Sequence, residues 1–200
     1  MTRAGAWALA LALLAGAPGC AARKTVEQAG EGPDFGVYRA TLARPSDERH
    51  FRLLLFAALP DRLHAEVLPP VGSPSLVLDA GEGRISVLSS RDHVAYVGDA
   101  KGDALRKAIG VDTTVGALVR AIVSGEVEDA GVAIERDPPQ GPGLPRRLLL
   151  HGDAGSLELT LVKIRKSRGD DAGIGRGAPP AGVTTRPLED LPELDVEAER

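Results

Sequence analysis

The sequence predicts a mainly β domain of the α+β type, built on a curved antiparallel sheet of about nine strands with two short helices inserted after the sixth. Three observations predict it. Short runs rich in Leu, Val and Ile recur between residues 36 and 98, each bounded by Pro, Gly, Asp or Ser. The links between them are short, which favours an antiparallel meander. Between residues 103 and 125 the apolar spacing becomes helical, and strand-like runs return after residue 131.

The strands are expected at 36–43, 49–58, 62–68, 75–79, 84–89 and 93–98. In the second, Phe51, Leu53, Leu55 and Ala57 share a face; in the third, Leu63, Ala65 and Val67 oppose His64 and Glu66. A first helix is expected over Asp103–Ile109, closed by Gly110. A second follows a Thr113 or Thr114 cap, with Val115, Leu118, Val119 and Ile122 at helical spacing and Gly125 as its stop. Further strands are expected at 131–136, 146–151 and 156–164, the last with Leu157, Leu159 and Leu161 on one side. Residues 167–200 are rich in Gly and Pro and then acidic, and are expected to be mostly disordered apart from a short extended segment near 182–188. Each strand has one apolar face, and two short helices cannot cover all of it. The sheet must therefore close on itself or leave a concave apolar cavity.

The 200 residues suffice for one domain with a core. A net charge of −4, from 24 Lys and Arg against 28 Asp and Glu, supplies no clustered positive field for nucleic-acid phosphates. One cysteine excludes an internal disulfide and a cysteine-based zinc site. Residues 1–19 carry Arg3, an apolar run from Ala6 to Ala15, and the small or turn-prone Gly16-Ala17-Pro18-Gly19, which is the layout of a secretory signal. The run spans about half of a roughly 30 Å hydrocarbon core, too little for a permanent transmembrane helix. Loss of that segment leaves 23 basic residues against 28 acidic ones, and the imbalance lies entirely in the last fourteen residues.

Catalytic and metal-binding patterns are not evident. His50, His64, His93 and His151 lie on separate strands without ligand spacing, and no G-x-S-x-G occurs. Asp92-His93 reads as a strand-start turn. Gly173-Ile174-Gly175-Arg176-Gly177 lacks the strand and helix that would frame a phosphate loop and reads as linker. No cofactor, metal or enzymatic activity is expected.

Cys20, directly after the signal-like run, resembles the acylated cysteine of a bacterial lipoprotein lipobox, with Gly19 fitting and Ala17 standing where that pattern favours Leu. Ordinary signal cleavage is the alternative. Ala21 in place of Asp implies outer-membrane sorting. Residues 20–35 then read as a tether and 36–166 as the domain. The element order, the stretch Arg62 to Ser73 followed by Leu76-Val77-Leu78, the segment Leu105 to Gly125 and the strand pair Leu144 to Lys166 together resemble the LolA/LolB superfamily of lipoprotein carriers and receptors, its LolB-like outer-membrane members in particular. The resemblance implies a half-barrel sheet with a helical lid over an apolar cavity for acyl chains. It also implies acylated lipoproteins or lipid as partners, a periplasmic LolA-like donor, and a monomer held at the outer membrane by its lipid. A protruding turn in that family carries an exposed apolar residue for membrane insertion. The matching position is Val71, in Pro69-Pro70-Val71-Gly72, where the family has Leu. Val71 also reads as the apolar member of a Pro-rich hairpin turn.

A site for acyl chains needs wide apolar area and few fixed polar groups. The candidate lining is Leu53, Leu55, Leu63, Val67, Leu76, Leu78, Ile85 and Val87, with Leu118 and Ile122 from the lid; each also reads as an ordinary core residue. A structural or assembly lipoprotein with the same fold and no carrier activity is the alternative function.

Overall fold

A computed structural model describes residues 34–100, 105–106, 113–126, 133–138, 143–152, 155–166 and 174–192. They form β1 (Asp34–Arg44), β2 (Asp47–Ala58), β3 (Arg62–Leu68), β4 (Leu76–Gly81), β5 (Arg84–Ser89), β6 (Val94–Asp99), α1 (Val115–Val123), β7 (Ala133–Asp137), β8 (Arg147–Gly152), β9 (Gly155–Lys166) and β10 (Thr184–Pro187). All strands join one sheet in the order β10-β6-β5-β4-β3-β2-β1-β9-β8-β7.

This corrects the expected fold class in three ways. The described residues hold ten strands rather than about nine, and the sheet is mixed because β10 runs parallel to β6. The sheet is open, with β10 and β7 as its two ends. Among the described residues there is one α-helix of defined extent, α1, instead of a two-helix lid. Leu105 and Arg106 are helical, and the rest of the expected Asp103–Ile109 helix lies outside the described residues. The tenth strand falls within the short extended segment expected near 182–188, but its pairing with β6 was not readable, because all four of its residues are exposed and carry no apolar alternation. It belongs to the tail expected to be mostly disordered, of which residues 174–192 are instead folded against the sheet.

The six-strand meander arises as its alternation dictates. Phe51, Leu53 and Leu55 of β2 pair with Ala40, Tyr38 and Gly36 of β1, so their side chains join one face. Leu63, Ala65 and Val67 continue that face through Ala80, Leu78 and Leu76. Along β9 the pairing with β1 slips by one residue between Val37 and Tyr38, which leaves Val162 as a bulge. Leu157, Leu159 and Leu161 therefore point to the apolar face, whereas Lys163 and Arg165 pair with Val37 and Phe35 on the other.

The helix lies on the apolar face. Thr114 caps it by accepting from the Ala117 N–H at 3.2 Å, a contact worth about 1 kcal/mol. Ser124 and Gly125 N–H groups both donate to the Arg120 carbonyl, with Gly125 at φ +79° ending the helix. Val115, Ala117, Leu118, Val119, Ala121 and Ile122 are buried and join the main core. A second, smaller cluster of Phe35, Val37, Leu54 and Phe56 occupies the opposite face, with Ile174 of the C-terminal segment packed on it.

Candidate functional site

Beneath α1 the apolar face is incompletely filled. Leu42 and Arg44 of β1, Phe51, Leu53 and Leu55 of β2, Leu63, Ala65 and Val67 of β3, and Leu76 and Leu78 of β4 form one wall and floor of a groove. Leu148 and Leu150 of β8 and Leu157 and Leu159 of β9 form the other wall, and Leu118 and Ile122 form the roof. Arg44 is the only polar side chain among these sixteen. The cavity volume is about 70 Å³, room for a few water molecules, within about 780 Å³ of free space that includes the open mouth.

The ladder registers place this groove toward one end of the sheet. Arg44 faces Asp47 across the β1–β2 turn, Ser156 faces His151 beside the β8–β9 turn, and Val67 faces Leu76 at the β3–β4 turn. Val71 stands in that last turn and is 90% exposed, the most exposed of the large apolar side chains described. A Cβ on neighbouring Gly72 would touch nothing within 4 Å, so the turn projects into open space.

The structure brings Leu53, Leu55, Leu63, Val67, Leu76, Leu78, Leu118 and Ile122 to the groove. Ile85 and Val87 are a correction: both are fully buried core residues outside its lining. They sit on β5, toward the β6 side of the sheet, where Ile85 faces Gly98 and Val87 faces Tyr96. Cys20 lies outside the described residues. Sequence reasoning missed Leu42, Arg44, Phe51, Ala65, Leu148, Leu150, Leu157 and Leu159 as lining. Their alternation was readable for Phe51, Ala65, Leu157 and Leu159, but that β8 and β9 stand beside β1 is a matter of topology.

Polar groups secure the margins of this face. Tyr38 is buried and donates to the Pro145 carbonyl at 2.9 Å; burial holds its phenol well above the ordinary range, against the opposing charge of Arg136. Arg136 of β7 donates from Nε to the Ile122 carbonyl at 3.1 Å, from Nη2 to Gly143 at 2.8 Å, and from Nη1 to Pro138. A cation thus meets the carbonyl end of α1, the favourable sign for a helix C-terminus.

The opposite face holds the main polar network. Both ring nitrogens of His64 lie 2.9 Å from carboxylate oxygens, Nδ1 from Asp79 and Nε2 from Glu66. Both can donate only if the ring is an imidazolium. Burial works against that charge, but the hydrogen bonds and negative charges of Asp79 and Glu66 outweigh it and push His64 up to about 9. Burial likewise opposes ionisation of Asp79, yet its bonds to His64 and to the backbone of Gly175 and Gly177 hold its carboxyl below the usual value. The carboxylates flank the ring on separate nitrogens, an ion-pair arrangement; among the described residues no group of three or more His, Cys, Asp or Glu is placed to hold a metal ion.

No protein-family model matches the chain, and no curated protein matches it significantly.

Proposed function

We propose that this chain is a lipid-anchored protein, attached through Cys20 and facing the periplasm at the outer membrane, that takes the acyl chains of lipoproteins into the groove under α1 during their reception or insertion. The observation that carries the reading is the lining: fifteen apolar side chains and one arginine at the mouth, the composition an acyl chain requires because it offers no hydrogen-bonding handle. Val71 supports it from outside, since the projecting turn joins two strands whose ladder pair nearest the turn, Val67 and Leu76, already lines the groove.

The geometry is compatible with membrane attachment. β1 enters at Asp34, at the far end of the strand from the β1–β2 turn, and its eleven residues span about 35 Å. Fourteen peptide steps separate Cys20 from Asp34, at most roughly 50 Å of chain.

Saturable binding of a dansylated fatty acid at roughly micromolar concentration is the expected result; its absence overturns the reading. Incorporation of labelled palmitate, lost in Cys20→Ala, tests the anchor. The small enclosed volume favours one second reading, a structural lipoprotein whose groove stays closed. Binding separates the two.

A further inference from the structure

The glycine-rich stretch Gly175-Arg176-Gly177 is a docking device. The backbone N–H groups of Gly175, Arg176 and Gly177 converge on the Asp79 carboxylate at 2.7, 2.8 and 2.6 Å. Gly175 and Gly177 have φ values of +74° and +68°, the left-handed conformation that turns alternate N–H groups to one side and forms a concave anion nest. The nest needs its glycines on other grounds too: a Cβ at Gly177 would lie 2.4 Å from the Arg84 carbonyl oxygen. Gly81 of β4 is equally constrained, for its Cβ would lie 2.1 Å from the Gly175 oxygen. Arg62 adds a bond from Nη2 to the Ile174 carbonyl.

Beyond this clamp the chain pairs Thr184–Pro187 with Val94–Val97 at the sheet edge, and Leu188 then turns onto the apolar face. Leu188 is 5% exposed and lies over Gly98, where a Cβ would come within 2.8 Å of its own. Gly98 faces Ile85 across the β5–β6 ladder, Ile85 faces Ala80, and one step along the same strands Tyr96 faces Val87 and Val87 faces Leu78. Leu78 is a groove residue. The apolar floor therefore runs unbroken from the groove wall to the residues beneath Leu188.

We propose that residues 174–192 are a docked strap whose Leu188 occupies, in cis, the β6 end of this floor, which would otherwise extend the groove, so that the strap sets the length of acyl chain accepted. This rests on the acyl-chain reading above. The strap is suited to such a role because its strand is exposed at every residue and only Leu188 is buried among residues 184–190.

The test compares dodecanoic and octadecanoic acid, displacing a dansylated fatty acid, on the full chain, on Leu188→Ala and on Asp79→Asn. Each added buried methylene is worth about a fourfold gain, so both variants should bind octadecanoic acid at least roughly tenfold more tightly than the parent. Dodecanoic acid should change by less than about twofold. Hydrogen exchange at Thr184–Leu188 should rise in Asp79→Asn. Should one variant fail to fold, the other carries the test, since the two act at opposite ends of the strap. Binding of both acids with an unchanged length preference overturns the strap proposal and leaves the groove reading standing. Binding of neither acid by any of the three proteins overturns both.

Discussion

The two faces of this sheet are covered by different forces. The apolar face is closed by α1 and by Leu188 through side-chain burial, which has no direction and leaves the groove wherever the cover is too small. The opposite face is covered by a short backbone segment held through directed bonds to Asp79, itself paired with His64, and to Arg62, around Phe35 and Phe56 whose rings lie 5.6 Å apart. Apolar cover can be incomplete and adaptable, while polar cover is fixed by its donors and acceptors. A site for a flexible apolar ligand therefore belongs on the first face.

The contrast is most directly broken at Asp79. Asp79→Ala leaves His64 Nδ1 and three backbone N–H groups without their acceptor, and should cost on the order of 3 to 5 kcal/mol in urea unfolding. The pH dependence of the same network comes next. His64 is raised in the folded state, so its contribution is fully present below about pH 6.5 and is lost as pH rises through about 9. Asp79 is lowered, so its contribution is present above about pH 4 and is lost as pH falls through its depressed value. Thermal unfolding should therefore show greatest stability between about pH 4 and 6.5, with an alkaline loss on the order of 3 kcal/mol that His64→Ala abolishes. On the apolar face, Leu76→Phe adds volume where the groove has room. It should change stability by no more than about 1 kcal/mol while weakening fatty-acid binding at least tenfold, measured by dye displacement. The smallest effect belongs to Val71→Glu, which should leave unfolding within about 0.5 kcal/mol of the parent but reduce partitioning of the protein into liposomes.

Much of the apolar face was legible. Leu63, Ala65 and Val67 opposite His64 and Glu66 announce their faces by alternation, and Thr114 and Gly125 mark the ends of α1 by cap chemistry. Those signals are local. The failures fall where a residue's surroundings come from afar. Ile85 and Val87 carry the same pattern as Leu76 and Leu78, and nothing near them in sequence says that they lie outside the groove. The Gly175-Arg176-Gly177 nest read as linker because its partner is an aspartate on a distant strand.

By itself the sequence determined which side chains of each strand share a face, where α1 starts and stops, and that one face would be too apolar to leave uncovered. Local backbone geometry dictates all three, because the strand period of two and the capping of helix ends act within a few residues. Only the tertiary structure decided what covers each face: the Asp79 bonds to residues 175–177 span 96 to 98 positions of chain. Such contacts form when the fold brings a carboxylate to a nest, and no periodicity in the chain encodes that meeting.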